Sequence, residues 1–398
     1  MKPSSLFSLP FLFAAANAAP TLAPAVYADY DAIVVGGGPA GLAATSGLAR
    51  VRRNVLMVDS GEYRNDPTRH AHDILGFDGV TPAWLRFAAR KQIEDYGTAT
   101  LVNGTVTKIE PQNNNTSFNV SITYPGNKPV TFITRKVVLG TGMKDDLPAT
   151  PGIVENWGKG IYWCPWCDGH EHADQSLGIV GPLDQGATTV REILTLNQDV
   201  VVLVNGTDTA DRRATTDKKF PGWEKYLQLH NIKVENRTIS SIVRIRNGTD
   251  GSEDPSLPTH AEHDLFQVNF ESGAPLLRNA FLTNFAEEQK SKLGQQTGVA
   301  LYGTKLAADN SMGLVTNVPG IFAIGDCNSD NVTNVPHAMF TGKRTAVFLH
   351  VALERENSVA QLAQAGNKKR ENNEAELRSI WERMNPLGDV LHAGDFKN

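Results

Sequence analysis

The chain has 398 residues, a formal net charge of −5, 20% charged and 40% hydrophobic residues, 35 glycines and 3 cysteines. That length accommodates two domains of roughly 100–200 residues each, and the composition excludes a disordered or fibrous chain. Mild acidity without a basic run argues against a nucleic-acid partner, and three cysteines are too few for a disulfide-stapled scaffold.

The first predicted element is a signal peptide over residues 1–18. Lys2 precedes an apolar run, Leu6 to Ala16, and Ala16-Asn17-Ala18 is a small-x-small cleavage site. The run is shorter than the ~20 residues a membrane helix needs, and no later segment reads as membrane-spanning, so a secreted, extracellular protein is expected. Asn-x-Ser/Thr sequons at Asn103, Asn114, Asn115, Asn119, Asn205, Asn236, Asn247 and Asn331 fit a glycosylated secreted chain.

Asp31 to Val35 then predicts a strand, which runs into Gly36-Gly37-Gly38-Pro39-Ala40-Gly41. A small-residue helix to about Ala49 and a strand over Asn54–Val58, ending at Asp59, complete a βαβ unit. In Gly36-x-Gly38-x-x-Gly41 the first glycine permits the tight turn. The second lets backbone approach a pyrophosphate, and the third lets helix and strand pack closely. Helix N-terminal N–H groups then hold phosphate charge, and Asp59 is placed to bond a ribose hydroxyl. The pattern specifies a dinucleotide without separating FAD from NAD.

Thr81-Pro82 starts a helix predicted to reach about Tyr96. Strands are expected at Thr105–Ile109, Ser117–Thr123 and Val130–Leu139, and Leu147 to Gly152 reads as a linker. A second βαβ pattern begins at Leu177-Gly178-Ile179-Val180-Gly181 and ends in the strand Asp199 to Val204. Residues 207–221 and 247–263 read as polar loops. Further strands are expected at Ile232–Val234, Ser240–Ile245, Leu265–Phe270 and Gly320–Ile324. A helix follows over His337–Leu353, and a charged helical pattern over Lys368–Met384. The layout is α/β with two Rossmann-like domains, the second inserted in the first: residues 29–150 and 285–398 form a discontinuous dinucleotide domain around a central domain at 151–284.

Trp163-Cys164-Pro165-Trp166-Cys167-Asp168-Gly169-His170 is the most informative segment. A CxxC pair closes a small disulfide ring and often holds one thiol of lowered pKa. Zinc ligation by Cys164, Cys167, His170 and His172 is an alternative, although structural zinc usually joins two separated ligand pairs. A purely structural disulfide is another. Redox activity is favoured because a dinucleotide cofactor is available to exchange electrons with the pair, and no metal is expected.

These pieces together resemble the low-molecular-weight thioredoxin reductase class of FAD-dependent disulfide oxidoreductases. The carrying segments are Gly36 to Gly41, Leu139-Gly140-Thr141-Gly142, Cys164 to Gly169, and Gly320-Ile321-Phe322-Ala323-Ile324-Gly325-Asp326. Asp59-Ser60-Gly61-Glu62-Tyr63-Arg64-Asn65 and His70-Ala71-His72 are similar to the fungal branch of dithiol and sulfhydryl oxidases. The resemblance implies a homodimer with FAD held by Gly36, Gly38, Pro39, Ala40, Gly41, Asp59, Ser60, Arg64, Asn65, Val106, Gly142, Gly325, Asp326 and Ala338. It further implies that Cys164 is the sulfur attacked by a substrate thiolate, that Cys167 faces the flavin, and that Asp168 is an acid/base group. His337 replaces a family glutamine at the start of a helix aimed at the flavin, and is a candidate proton acceptor. Cys327 is expected to be a buried bystander.

One stretch departs from the reductase pattern. In Gly181-Pro182-Leu183-Asp184-Gln185-Gly186, Leu183 stands where backbone must approach NADPH, and its side chain is expected to obstruct the phosphates. Asp184 adds a negative charge, and Val204-Asn205-Gly206-Thr207 lacks the basic cluster for a 2′-phosphate, although Arg212 and Arg213 follow. The expected reaction is therefore thiol oxidation, two thiols plus dioxygen giving a disulfide plus hydrogen peroxide, with small glutathione-like thiols as substrates. NADPH-dependent disulfide reduction and oxidation of an epidithiol metabolite are the rivals.

Overall fold

The computed structural model describes residues 28–249, 252, 254–257 and 261–367. The expected signal peptide and the charged pattern from Lys368 lie outside the described residues. Residues 28–353 group as one unit by their contacts.

The chain opens with β1 (Tyr30–Val35), α1 (Pro39–Arg50) and β2 (Val55–Asp59). α2 (Pro82–Glu94) follows, with Thr81 as its N-cap: the Thr81 hydroxyl accepts a hydrogen bond from Trp84 N at 3.2 Å. β3 (Ala99–Asn103), β4 (Thr105–Gln112), β5 (Ser117–Thr123), β6 (Val130–Leu139) and β7 (Met143–Asp145) come next. The middle of the chain supplies α3 (Ile153–Asn156), β8 (Ile161–Tyr162), α4 (Pro165–Asp168), β9 (Leu177–Val180), α5 (Leu183–Ile193) and β10 (Val200–Leu203). It continues with α6 (Ala210–Lys219), α7 (Trp223–Leu229), β11 (Lys233–Glu235), β12 (Ile239–Arg246), β13 (Leu265–Phe270), β14 (Leu276–Arg278) and β15 (Ala280–Thr283). The last part holds β16 (Glu287–Gln289), α8 (Leu293–Gln296), β17 (Leu301–Tyr302), β18 (Lys305–Leu306), β19 (Ala308–Asp309), β20 (Val315–Thr316), β21 (Ile321–Ala323) and α9 (Val335–Asn367).

The first sheet runs in the order β19-β20-β21-β6-β1-β2-β3, with β5 pairing β6 and β4. Its centre, β21-β6-β1-β2-β3, is parallel. β1 and β2 read as unbroken apolar runs because both faces are covered. Ile33 and Val35 pack with Phe118, Val120 and Leu139 on one side, while Ala32 and Val34 pack with Ala44 and Leu48 of α1 on the other. Fully burying one such side chain contributes ~1.5–3 kcal/mol. The second sheet, β11-β10-β9-β15-β8, is also parallel, and an antiparallel β12-β13-β14 sheet accompanies it. The chain passes from one region to the other and back through β7 and β16, which pair as an antiparallel ribbon.

Residues 207–221 are not a loop, as their polarity suggested. They contain α6, capped by the Thr209 hydroxyl, which accepts from Arg212 N. The helix buries only Thr216, so it carries no apolar stripe by which to recognise it.

Candidate active site

A cavity of about 330 Å³ opens beneath the C-terminal ends of β1, β2 and β6. Its wall includes thirteen of the fourteen expected cofactor positions: Gly36, Gly38, Pro39, Ala40, Asp59, Ser60, Arg64, Asn65, Val106, Gly142, Gly325, Asp326 and Ala338. Gly41 is not a lining residue; it packs the turn, and a Cβ there would lie 1.9 Å from the Gly36 carbonyl oxygen. Cys167 and Asp168 line the cavity, whereas Cys164 and His337 do not. Tyr63, His72, Trp163 and Lys290 line it as well. The first three belong to segments that the sequence singles out, Asp59 to Asn65, His70 to His72 and Trp163 to His170; Lys290 carried no local signal.

These residues fit a dinucleotide. Gly38 caps α1 and Pro39 occupies its first turn, which carries no acidic side chain, so the helix N-terminus presents uncompensated N–H groups. A Cβ built on Gly38 would meet nothing within 4 Å, because it projects into the cavity. Asp59 Oδ1 accepts from Gly61 N at 2.9 Å, and Oδ2 accepts from Tyr63 Oη at 2.6 Å and Arg90 at 2.9 Å. A carboxylate has about four lone-pair sites, so one remains for a ribose hydroxyl. Burial, and then the hydrogen bond to Asp59, push the Tyr63 phenol up to about 12, so it stays a donor.

Arg64 is an organiser of the wall. Its guanidinium reaches Asp145 of β7 at 2.5 Å, Glu287 of β16 at 2.9 Å and Asp326 at 3.0 Å. Lys305 adds a second cation, 2.8 Å from Glu287. Burial raises the Asp326 carboxyl, and the Arg64 charge opposes that rise. Cys327 is fully buried, with its thiol near the carbonyls of Leu139 and Ile324. His337 sits outside the wall, and its Nε2 lies 2.7 Å from Asp330 Oδ2.

Cys164 and Cys167 are joined as a disulfide with Cα atoms 5.2 Å apart. Cys164 caps α4, and Cys167 N donates to the Cys164 carbonyl. Trp163 stacks on Trp157 at 5.1 Å, while Trp166 is 73% exposed. His172 does not turn to the cysteines. It stacks on Tyr162 and faces Glu262 at 3.7 Å, and burial lowers its pKa to about 4. His172, Glu262 and Asp264 are close enough to share an ion, but Arg69 already bridges the two carboxylates. Burial, followed by the charges of Glu262 and Glu171, pushes the Asp168 carboxyl well above the usual carboxylate range. The shift favours the protonated form of Asp168 beside the redox pair.

The central nucleotide-type fold is arranged differently from the first. Leu183 does not obstruct a phosphate path: its side chain is fully buried in the core with Ile179 and Val202. The departure lies instead at Asp184, in the first turn of α5, where its carboxylate is 2.8 Å from Arg212 and 2.6 Å from Lys219. Arg213 is likewise taken, by Asp208 and Glu224. A carboxylate of the chain itself thus occupies the helix end and pairs with basic groups that would otherwise meet a phosphate. A small cavity of about 70 Å³ lies there, between Gly181, Gln185, Trp163 and Asn284.

Burial alone would raise the Asp184 carboxyl, but hydrogen bonds from Lys219 and Arg212 outweigh it and hold it below the usual range. A depressed folded pKa stabilises the fold above the unfolded value and is lost as pH falls through the folded one. Asp184→Asn is therefore expected to lower stability by about 1–3 kcal/mol at neutral pH. Chemical denaturation at several pH values should show the gap from wild type closing below about pH 4. A gap that persists in acid would mean that charge is not its source.

The model of the family described as "Pyridine nucleotide-disulphide oxidoreductase" matches residues 30–342. A "Probable thioredoxin reductase" of Arthroderma benhamiae is 46% identical over 337 residues, covering 84% of this chain and 82% of that protein. "Thioredoxin reductase aclD" of Aspergillus oryzae is 30% identical over 313 residues, covering 75% and 88%. The crystal structure of a putative thioredoxin reductase from Bacillus anthracis superposes with a TM-score of 0.69 over 82% of this chain and 99% of that one, at 22% identity, which speaks for the fold. The cradle at Gly36 to Gly41, the cavity it opens and the disulfide on its wall lead to the same place as these matches: the chain belongs to the pyridine nucleotide-disulphide oxidoreductase family and is an FAD-binding oxidoreductase.

Proposed function

We propose that the chain is a secreted, FAD-dependent thiol oxidase that converts two thiols and dioxygen into a disulfide and hydrogen peroxide, with small glutathione-like thiols as substrates. The observation that carries this reading is the pairing of Asp184 with Arg212 and Lys219, together with Arg213 held by Asp208 and Glu224. The central domain spends its basic groups on its own carboxylates, while the disulfide faces the other cavity. Bound FAD supplies a two-electron acceptor that dioxygen can reoxidise. The chain supplies the sulfur chemistry. A substrate thiolate attacks Cys164 Sγ, and Cys167 leaves as a thiolate on the cavity side. A second thiol then attacks the mixed disulfide and releases the product. Asp168 lines the cavity next to Cys167, placed to exchange a proton with the departing sulfur.

Secretion is part of this reading. Asn103, Asn114, Asn205, Asn236, Asn247 and Asn331 of the sequons are exposed, as glycan acceptors must be. So is a homodimer, supported by exposed Phe340 and Val347, which lie seven residues apart on α9. A second reading, NADPH-dependent disulfide reduction, is supported by the names of the relatives.

Two assays separate these readings on protein recovered from culture medium. In an oxygen electrode with glutathione or dithiothreitol, oxygen uptake matched by peroxide is expected. With NADPH and a disulfide substrate, no NADPH consumption is expected. The opposite pair of results would replace the oxidase with the reductase.

A further inference from the structure

Two imidazoles line the same cavity as Cys167 and Asp168: those of His70 and His72. His70 Nδ1 lies 2.9 Å from the Gly79 carbonyl, pinning the loop closed by the Ala71–Val80 bridge. His72 is placed differently. Its Nδ1 stands between two carboxylates, 3.5 Å from Glu171 Oε1 and 3.6 Å from Asp78 Oδ2. Glu171 is buried, whereas the Asp78 side chain is 61% exposed. Glu171 follows Asp168 by three residues, and its charge acts on the Asp168 carboxyl. His72 thus lies between an interior acid and a surface one, on the wall where the redox pair sits.

Among the described residues, other titratable groups on this side of the fold are less suited to carry a proton from Asp168. Towards the interior, His172 has its pKa lowered to about 4 by burial and takes up no proton near neutral pH. Glu262 and Asp264 are clamped by Arg69. Towards α9, the His337 imidazole is held by Asp330 and does not line the cavity.

We propose that His72, oriented by Glu171, carries protons between the Cys164–Cys167 pair with its neighbour Asp168 and solvent at Asp78. Opening the pair with two thiols releases two protons. The first thiol loses its proton as its sulfur bonds to Cys164, breaking the disulfide and leaving the electron pair on Cys167. The second loses its proton as its sulfur bonds to the first substrate sulfur and Cys164 departs with its electron pair. The product is a substrate disulfide, and the cysteine pair is reduced by two electrons. One proton is kept at the pair and Asp168, and the other must leave. The inference rests on the redox role of the cysteines and not on dioxygen as the acceptor.

The test uses the flavin-loaded, full-length protein without oxygen. Wild type, His72→Gln, His72→Ala and Glu171→Gln are mixed with dithiothreitol and quenched in acid. Opening of the Cys164–Cys167 disulfide is then followed by thiol labelling and mass spectrometry. Both His72 variants are expected to open about 100-fold more slowly, with melting temperature and flavin content kept. Added imidazole should restore His72→Ala towards the wild-type rate, an effect that a purely structural role for His72 does not give. Glu171→Gln should lose less and gain nothing from imidazole. Opening of His72→Gln at the wild-type rate overturns the proposal, as does a slow His72→Ala that imidazole leaves unchanged. Should His72→Ala not fold, the His72→Gln rate decides. Failure of the wild type to take up oxygen would remove the oxidase reading and leave this measurement standing.

Discussion

Cys164→Ser and Cys167→Ser are each expected to reduce thiol-dependent turnover to the uncatalysed background, whereas Cys327→Ala keeps it close to wild type. The reason is positional. The pair is a disulfide whose inner sulfur belongs to a cavity-lining residue; on the proposed reading, electrons pass only if one sulfur takes the substrate and the other hands the charge inward. A hydroxyl does neither, because it forms no exchangeable bond to sulfur. Cys327 lies beside Asp326 but is fully buried, and burial pushes its thiol up, away from the reactive thiolate. Its replacement by alanine should cost roughly 1 kcal/mol in packing. The two serine variants should also differ from each other. Cys167→Ser leaves the outer thiol free to exchange with oxidised glutathione, which releases one glutathione thiolate and leaves the other half as a stable mixed disulfide, visible as a mass increase on Cys164. Cys164→Ser leaves only the sulfur on the cavity side and should trap far less. Adducts accumulating on Cys164→Ser instead would reverse the assigned roles.

The second large effect concerns two glycines three residues apart. Gly38 has φ −73° and ψ −179°, an extended conformation open to any residue, and a Cβ there touches no other part of the chain. Gly38→Val should therefore leave the melting temperature of flavin-free protein unchanged while filling the space in front of the α1 N-terminus. FAD affinity is expected to fall at least tenfold, or ~1.4 kcal/mol. Gly41→Val places its Cβ 1.9 Å from the Gly36 carbonyl oxygen, between β1 and α1. Overpacking of this kind costs about 1–3 kcal/mol or more, so this variant should lose stability and flavin together. Thermal melts of flavin-free protein and flavin fluorescence titrations separate the two. A Gly38→Val protein that binds FAD as wild type does would show that the cofactor's phosphates do not pass there.

Much of the cradle was legible because its information is local. Strand, glycine turn, helix and Asp59 follow one another within thirty residues, and the Thr81 cap and the strands from Thr105 to Leu139 carry their own signals. What escaped depends on distance along the chain. Arg64 meets Asp145, Glu287 and Asp326 only after the fold has closed, the last of them 262 residues away. Leu183 was misjudged because a position within a motif does not give the direction of its side chain, and the central core claims it. α6 was missed because a helix that buries one threonine leaves no periodic trace.

The redox pair stands in the wall rather than in the room. Cys167 belongs to the cavity that takes the cofactor, while Cys164 and the exposed Trp166 do not line it. On the thiol-exchange reading proposed above, substrate choice and electron disposal are thereby housed in separate compartments that communicate through one sulfur–sulfur bond. Alterations around the outer sulfur should change which thiols are accepted and leave the inner half of the cycle untouched. A bulky thiol needs only to present its sulfur at the threshold, and the cofactor's reactivity stays screened from everything that carries it there.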